Sequence, residues 1–574
     1  MTFKEKLEKY FSIKNVGYTS FCLNLICIIF GIIYKSIPIY TFFWDIFGII
    51  YLISLFDNLL LIYLNSIKLN KSSKLGFRLN IINYIFLIFL ILGMMGLGYS
   101  NSIIGKIYST LIIDYLWPYL LLYFCYFGPL IFGSAIAFLN IKFFDDNEIW
   151  GSKGDNLSEI PSNFKRRLKL TFEIIFYGIL IWGIILAYTT FSGAIEPFGW
   201  IMAMSFNHYT LFFTFIFLST TLILLNLGNW KYNRRKYYAT AIIGLTISGI
   251  FMMPLCLTPF TLFNAEMSFS TTYGYDWRNK IDPIIEMNYF LTSPFSIPEY
   301  FLGIHPKECI VIQDVLYYQN NSEGVSLYFD AYLPPNQGAG LPGKNSTIIQ
   351  IHGGAWRIGD KGQGSQIQRN KYFAAQGYVI FDIQHGLNRD FLQYLAPPPS
   401  NVIGAFTIND MIRHIGNFTH FLANNNIYGA NLSSVFLVGG SAGGHLAMAT
   451  ALGIWSGNFS HYFNQTLKIK GLLPFYPGNG LSGLDGDQEL LYPENLINGT
   501  SPPCLIYQGT SDLLCPDVSR RVQNRYIEKE NRKCAIIWLP LGGHSNDVYF
   551  PGYFNVPFIY YMERFLYLAV NDKI

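Results

Sequence analysis

The chain has 574 residues, 51% of them hydrophobic and only 13% charged, with 40 Lys and Arg against 36 Asp and Glu. That length exceeds one ordinary domain, and so low a charged fraction excludes a wholly water-soluble protein of usual composition. A formal net charge of +4 is too small to argue for a nucleic-acid partner.

Before about residue 263 the chain is a series of apolar runs separated by short charged strips. A helix needs about 20 apolar residues to cross a bilayer. By that measure spans fall near residues 20–34, 40–64, 80–97, 114–139, 170–190, 209–227 and 238–259, which gives a seven-span transmembrane domain over residues 1–262. Pro118 and the Gly128-Pro129 pair lie in the fourth span, where neighbouring helices can satisfy the freed backbone groups. The first run reads as a signal-anchor, since no small-residue cleavage site follows it. Asp45, Asp57, Asp114 and Glu173 fall in or near spans. Structural roles are the expectation for them, with interfacial solvation for Asp114 and Glu173 near span ends.

Short cytoplasmic loops collect Lys and Arg, so basic strips should alternate along the chain. In order the strips hold four (Lys4, Lys6, Lys9, Lys14), one (Lys35), four (Lys68, Lys71, Lys74, Arg78), one (Lys106), six (Lys142, Lys153, Lys165, Arg166, Arg167, Lys169), none, and four (Lys231, Arg234, Arg235, Lys236). The expected topology is a cytoplasmic N-terminus, seven crossings, and everything after residue 260 on the lumenal or extracellular side. Such a protein belongs to a membrane of the secretory pathway: endoplasmic reticulum, Golgi or plasma membrane. Asn-x-Ser/Thr is usable as a glycosylation acceptor only on that side. Seven sequons follow residue 300, at Asn320, Asn345, Asn417, Asn431, Asn458, Asn464 and Asn498, while Asn70 and Asn156 lie in strips read as cytoplasmic. Cys309, Cys504, Cys515 and Cys534 form an even set for which one or two disulfides are permitted. Their spacing assigns no pairing, and four buried free thiols is the equal alternative.

From about Ile310 short β-rich runs alternate with helical ones, the pattern of a doubly wound, mostly parallel sheet. Eight strands fall near residues 310–317, 325–332, 347–351, 378–383, 434–438, 468–475, 504–507 and 534–539, with one helix starting near Asn409 and another opening at Ser441. Residues 301–574 make a domain of ordinary size, and an aromatic-rich stretch over 263–300 is a linker or a possible cap.

"VFLVGGSAGGHLAMATAL" is a strand, then Gly439-Gly440-Ser441-Ala442-Gly443, then an Ala- and Leu-rich helix. That is G-x-S-x-G in the strand–turn–helix setting the motif requires. A serine nucleophile needs a base, and the base needs an orienting carboxylate. Asp512 and His544 each follow closely on a strand, in the order Ser, Asp, His, at the sheet edge where sites of open α/β folds assemble. Asp517 and Asp547 are weaker rivals for the acid, and His445 is expected to pack rather than react. Attack by Ser441 creates an oxyanion. The turn His352-Gly353-Gly354-Ala355-Trp356, after the third strand, brings backbone N–H groups of Gly353, Gly354 and Ala355 to it, with Ala442 as the further donor. His352 reads as a scaffold for that loop.

HGGAW, GGSAGGH, the late Asp and GGHSND together resemble the hormone-sensitive-lipase-like branch of the α/β-hydrolases. Within it, the HGGxW form resembles arylformamidases and prenylcysteine methylesterases. The resemblance covers about 270 residues and implies an α/β-hydrolase fold and hydrolysis of an ester or amide without a cofactor. Ala355 stands where many lipase-like members have a third Gly, and only about 25 residues lie between the strand ending at Phe475 and Cys504, which leaves little room for a cap there. That resemblance does not extend to the seven-span half.

The leading expectation is a membrane-tethered serine esterase acting on a small-molecule or lipid ester, its active site lumenal or extracellular. The tether and the aromatic linker point to a lipidic ester. The same groups would serve an amidase of the formamidase type. A reading from another class is a multi-span receptor whose hydrolase-fold ectodomain only binds. Filled nucleophile, base and acid positions favour the enzyme.

Overall fold

The computed structural model describes residues 12–37, 42–146, 149–150, 163–192, 198–228 and 233–574. Lys4, Lys6, Lys9, Lys153 and Lys231, the start of the second span at Tyr40, and the sequon at Asn156 lie outside the described residues.

The N-terminal half is built from long apolar helices: α1 (Ile13–Ser36), α2 (Phe42–Lys68), α3 (Lys74–Ile104), α4 (Ile112–Lys142), α5 (Asn163–Ser192), then α6 (Phe198–Phe206) and α7 (Thr210–Leu227) joined by a single 3₁₀ turn, and α8 (Arg234–Tyr273). With α6 and α7 counted as one stretch, Gly199–Leu227, seven of these among the described residues are long and apolar enough to cross a bilayer. Ile29, Leu92, Leu120, Phe138, Ile174 and Ile242 stand exposed on the outside of the bundle, an apolar surface far beyond what a water-soluble protein leaves open.

Polar side chains lie inside instead, and they bond between helices. Ser20 donates to Asp57 (2.6 Å), Ser54 and Asn58 both donate to Asn24 Oδ1 (2.7 and 2.8 Å), and Asn140 donates to Asn65 (3.1 Å). Contacts of this kind can hold apolar helices together in a bilayer, where no hydrophobic driving force separates helix from lipid. Glu173 pairs with Lys169 and Lys236, Asp45 and Asp114 sit in the first turns of α2 and α4, and α4 runs unbroken through Pro118 and Pro129.

The spans match the sequence reading in number and differ in extent: the sixth, read from residue 209, already begins at Gly199. The seventh, read as ending at residue 259, continues as one helix of 40 residues to Tyr273 despite Pro254 and Pro259. The stretch expected to link the halves therefore begins inside α8. It goes on through a short helix α9 (Ile297–Leu302) wedged against α2, where a Cβ on Gly48 would come within 2.7 Å of Ile297 and Pro298.

The C-terminal half is an α/β-hydrolase fold. Its strands are β1 (Ile310–Asn320), β2 (Val325–Leu333), β3 (Ser346–Ile351), β4 (Val379–Ile383), the two-residue β5 (Leu387–Asn388) and β6 (Ile403–Gly404), β7 (Asn431–Gly440), β8 (Ile469–Phe475), β9 (Cys504–Gly509) and β10 (Cys534–Leu539). The eight-stranded sheet has the order β1-β2-β4-β3-β7-β8-β9-β10, with β5 and β6 paired separately. The run from β4 to β10 is parallel, while β1 pairs antiparallel with β2 and β2 antiparallel with β4. The sheet is thus mixed, not parallel throughout. The tight turn between Asn320 and Val325 forces β1 and β2 antiparallel, because parallel neighbours need a long crossover. Helices α10 (Gln366–Ala374), α11 (Ile408–Asn424), α12 (Ala442–Ser456), α13 (Val518–Glu528) and α14 (Val556–Val570) cover the faces.

Strand alternation sorts the core into two. Ile349, Ile351, Val435, Leu437, Ile506 and Ile536 form one apolar cluster with α11, α12 and α13. Ile348, Phe436, Val438, Leu505 and Ile537 point the other way and belong to a second cluster, which continues through α14 and α9 into the helical bundle as far as Leu55, Leu90 and Phe215. The two halves share one core. All eight cysteines are free thiols, and Cys309, Cys504, Cys515 and Cys534 are buried.

Candidate active site

β7 ends at Gly440 and α12 begins at Ala442, so the chain reverses at Ser441. Ser441 takes φ 56° and ψ −120°, a conformation that costs a non-glycine residue strain and lifts its hydroxyl over the sheet edge. The turn closes because Gly443 has no side chain: a Cβ there would lie 2.2 Å from Ile351 O.

His544 Nε2 lies 2.8 Å from Ser441 Oγ, and His544 Nδ1 lies 3.0 Å from Asp512 Oδ2. A carboxylate can only accept, so the Nδ1 proton points to Asp512 and Nε2 is left to accept from the serine hydroxyl. Asp512 also takes hydrogen bonds from the backbone N–H of Leu514 and Cys515 (both 3.0 Å) and from Gln508 Nε2 (3.1 Å). Burial pushes its pKa up, but His544 and these donors outweigh that and hold it below the usual carboxylate range.

Gly353, Gly354 and Ala355 leave β3 directly beside the nucleophile. A Cβ on Gly353 would come 2.7 Å from Gly440 O and 3.4 Å from Ser441 Cβ. The chain then passes through positive φ at Gly354 (115°), Ala355 (53°) and Trp356 (61°). Ala442, next to Ser441, opens α12, where the first backbone N–H groups have no partner within the helix.

Trp356 anchors this loop, its Nε1 donating to His445 Nδ1 (3.1 Å). His445 Nε2 in turn bonds Leu490 O (2.7 Å), and burial lowers its pKa to about 4, so the ring is neutral and packed. His352 is likewise buried, its pKa lowered to about 4, with Nδ1 on Gly353 O (2.8 Å) and its ring stacked on His385. The rival acids are placed elsewhere. Asp517 is exposed at the start of α13, and Asp547 is held by Tyr476 Oη (2.6 Å) and Arg369 (3.1 Å).

Several residues that sequence reasoning passed over frame the site. Tyr476, the first residue after β8, sets its ring 4.5 Å from that of His544 and tilted 58° to it; its place at the strand end was a usable signal. Residues 384–406, after β4, clamp the HGGAW turn through Asn388 N–H to Trp356 O (2.9 Å) and Arg357 to Asp390 (3.0 Å). They carry Phe391, Tyr394 and Leu395 into solvent. From the helical half, Asn207 Nδ2 bonds Leu541 O (2.8 Å), and Ala203 of α6 lies 3.8 Å from where a Cβ on Gly543 would sit. No local signal marks a contact between residues 334 apart in sequence.

Asp512, Cys515 and His544 bring donor atoms within 4.8 Å of one another, a spacing a metal ion could use. The donors fit a metal poorly. Asp512 and His544 are bonded to each other, and burial pushes the Cys515 thiol up, away from the thiolate a metal takes.

The BD-FAE family model matches residues 329–489. A probable isoprenylcysteine alpha-carbonyl methylesterase of Oryza sativa subsp. japonica is 27% identical over 180 residues, covering 31% of this chain and 36% of that protein. The chain therefore aligns with about a third of that relative's length. Among solved structures, the apo form of Thermogutta terrifontis esterase 2 is 19% identical over 45% of this chain and 91% of its own, with a TM-score of 0.35. Inhibited esterase B from Lactobacillus rhamnosis is 20% identical over 46% of this chain and 89% of its own, with a TM-score of 0.36. The C-terminal half of the chain thus has the α/β-hydrolase fold in its sheet order, and within it residues 329–489 are similar to the BD-FAE family.

Proposed function

We propose that the protein is a membrane-anchored serine hydrolase that cleaves carboxylic esters through an acyl-enzyme. The observation that carries this reading is the hydrogen-bonded line Ser441–His544–Asp512, with distances of 2.8 and 3.0 Å. In this mechanism Ser441 Oγ attacks the ester carbonyl while His544 Nε2 takes its proton, and Asp512 steadies the resulting imidazolium. Backbone N–H groups of the Gly353–Ala355 turn and of Ala442 hold the oxyanion, each such donor contributing about 2.7–4 kcal/mol to the transition state. Collapse expels the alcohol, protonated by His544, and leaves the acyl group on Ser441. Water, deprotonated by the same histidine, then releases the acid and restores the serine.

The substrate class we favour is an ester on a lipidic molecule. Support comes from α6, an apolar helix continuous with the sixth span that lies beside the His544 loop. The rice relative adds to it, being by name a probable isoprenylcysteine alpha-carbonyl methylesterase. For topology we propose a cytoplasmic N-terminus and a lumenal hydrolase. The helix ends that meet the hydrolase half, around Asn101, Ile107 and Asn207, lie in the strips poor in basic residues.

Labelling of the full chain by a fluorophosphonate probe tests the chemistry. Wild type should be labelled and should hydrolyse a short p-nitrophenyl ester, and Ser441→Ala should do neither while still folded. Undiminished labelling of Ser441→Ala would remove that serine from its role.

A further inference from the structure

We infer that Asn207, a residue of the helical half, is a positioning residue for His544, so that the apolar helices are part of the catalytic apparatus and not only its tether. This rests on the reading of His544 as the base that activates Ser441.

The turn that carries His544 is strained on both sides of it. Leu541 has φ 61° and Ser545 φ 58°, left-handed values that non-glycine residues hold only where the surroundings over-determine them. Three hydrogen bonds from the hydrolase fold brace the turn: Leu541 N–H to Thr510 Oγ1 (3.0 Å), Gly542 N–H to Leu539 O (3.0 Å) and Ser511 N–H to Gly542 O (2.8 Å). A fourth comes from outside it, Asn207 Nδ2 to Leu541 O (2.8 Å). The same Nδ2 lies 3.7 Å from where a Cβ on Gly543 would be, and Ala203 Cβ lies 3.8 Å from it. The helical half therefore faces the residue just before His544, at a distance that a side chain there would meet as an ordinary contact.

Asn207 can brace this turn because it is itself fixed. It is fully buried at the junction of α6 and α7. Its neighbour His208 gives its carbonyl to Tyr300 Oη (3.1 Å) and stacks on Tyr549. Tyr549 Oη donates to Tyr300 O (2.6 Å), and Thr210 is hydrogen-bonded to Tyr553 Oη. Asn207 thus stands on a rigid aromatic block made from both halves. Loss of its donor would free the Leu541 carbonyl and loosen the turn, and the 2.8 Å reach from His544 to Ser441 would lengthen.

The test uses the full chain with Asn207→Asp, which keeps the shape but turns an acceptor toward the Leu541 carbonyl, and Asn207→Ala. Steady-state ester hydrolysis, the rate of fluorophosphonate labelling, the pH–rate profile and thermal unfolding are measured on each, with Ser441→Ala as the zero. We expect kcat and the labelling rate to fall about 10- to 100-fold, the range a small misplacement of a catalytic group produces. KM should stay close to wild type, the acid limb of the pH profile should move, and the unfolding midpoint should hold. Should Asn207→Ala not be recovered folded, the near-isosteric Asn207→Asp decides alone. Wild-type kcat and an unmoved pH profile in the variants would overturn the inference while leaving the esterase reading intact. So would a loss of activity that follows a falling unfolding midpoint with the pH profile unchanged. A wild-type chain inert to both ester and probe would overturn the proposed function and this inference with it.

Discussion

Ser268 Oγ, near the end of α8, donates a 2.8 Å hydrogen bond to Ile536 O on β10, the last strand of the sheet. Five residues on, Tyr273 Oη donates 2.6 Å to Cys504 O, at the start of β9. The helix that leaves the bundle thus lies over the free edge of the sheet, a place where an uncovered strand invites aggregation. A single apolar cluster then joins bundle and sheet.

A first expectation follows for truncation. From the strand and helix pattern alone, residues 301–574 read as a self-contained hydrolase. The shared core and the covered edge say that this fragment, cut from the helices, will expose an apolar sheet-and-helix face. It should aggregate on size-exclusion chromatography, whereas the full chain in detergent runs as a defined species. A monodisperse fragment with full ester turnover would sink this account.

Within the proposed catalytic line, His544→Ala and Asp512→Asn should each lower kcat by orders of magnitude, roughly 10⁴-fold or more by comparison with serine proteases, with Asp512→Asn the milder. Adding Ser441→Ala to either should cost little more, because the three act as a unit. Additive losses in the double variants would mean that these residues do not form one machine.

The turn proposed to hold the oxyanion has its own variant. A Cβ on Gly353 would meet Gly440 O at 2.7 Å, and that obstacle is backbone that cannot swing aside. Gly353→Ala should push the turn away from Ser441 and lower kcat by about 10²- to 10³-fold, the loss seen when one oxyanion donor is removed. Normal kcat in a folded Gly353→Ala protein would place the oxyanion elsewhere.

Acid should weaken the hydrolase half at milder pH than carboxylate titration alone requires. Burial lowers the pKa of His352, His414 and His445 to about 4 and of His385 to about 3, against 6.5 for a free imidazole. The unfolded chain therefore binds these protons first, and stability, full above pH 6.5, is lost as pH falls toward 4. The carboxyl of Asp512, held below its ordinary value of 3.8, adds its own loss only at lower pH. Thermal midpoints measured across this window should drop steadily with acidification. A flat profile between pH 6.5 and 4 would rule the buried histidines out as the cause.

The proposed topology is open to enzymatic mapping. Asn458 and Asn498 are exposed, and at Asn431, Asn464 and Asn498 the side-chain oxygen turns back onto the backbone and hydroxyl of the residue two positions on. Asn417, in the middle of α11, is the sequon least suited to carry a glycan. Endoglycosidase should shift the band, and in sealed microsomes protease should clip the strip around Arg166 while sparing the C-terminal half. An unglycosylated hydrolase half exposed to protease would move the site to the cytoplasm.

Local features of the chain were enough for the elements and for the candidate catalytic groups. Hydrophobic period and length marked the number and place of seven apolar helices, and eight strands to within a few residues, because bilayer thickness and the pleat each impose their own repeat. G-x-S-x-G around Ser441, and strand-end positions for Asp512 and His544, are likewise local patterns, and the fold does no more than bring them to 2.8 and 3.0 Å. What the helical half does, beyond being long and apolar enough to cross a bilayer, was not legible. The extension of α8 past residue 259 was not legible because its last turns pack on the edge of β10, a surface that exists only once the sheet has formed. The contact of Asn207 with Leu541 escaped for the same reason. A buried Asn in an apolar run carries the same one-letter signal whether it bonds to a neighbouring helix, as Asn58 does to Asn24, or to the loop of a histidine 337 positions away; its meaning is set by what the folded chain places opposite its amide.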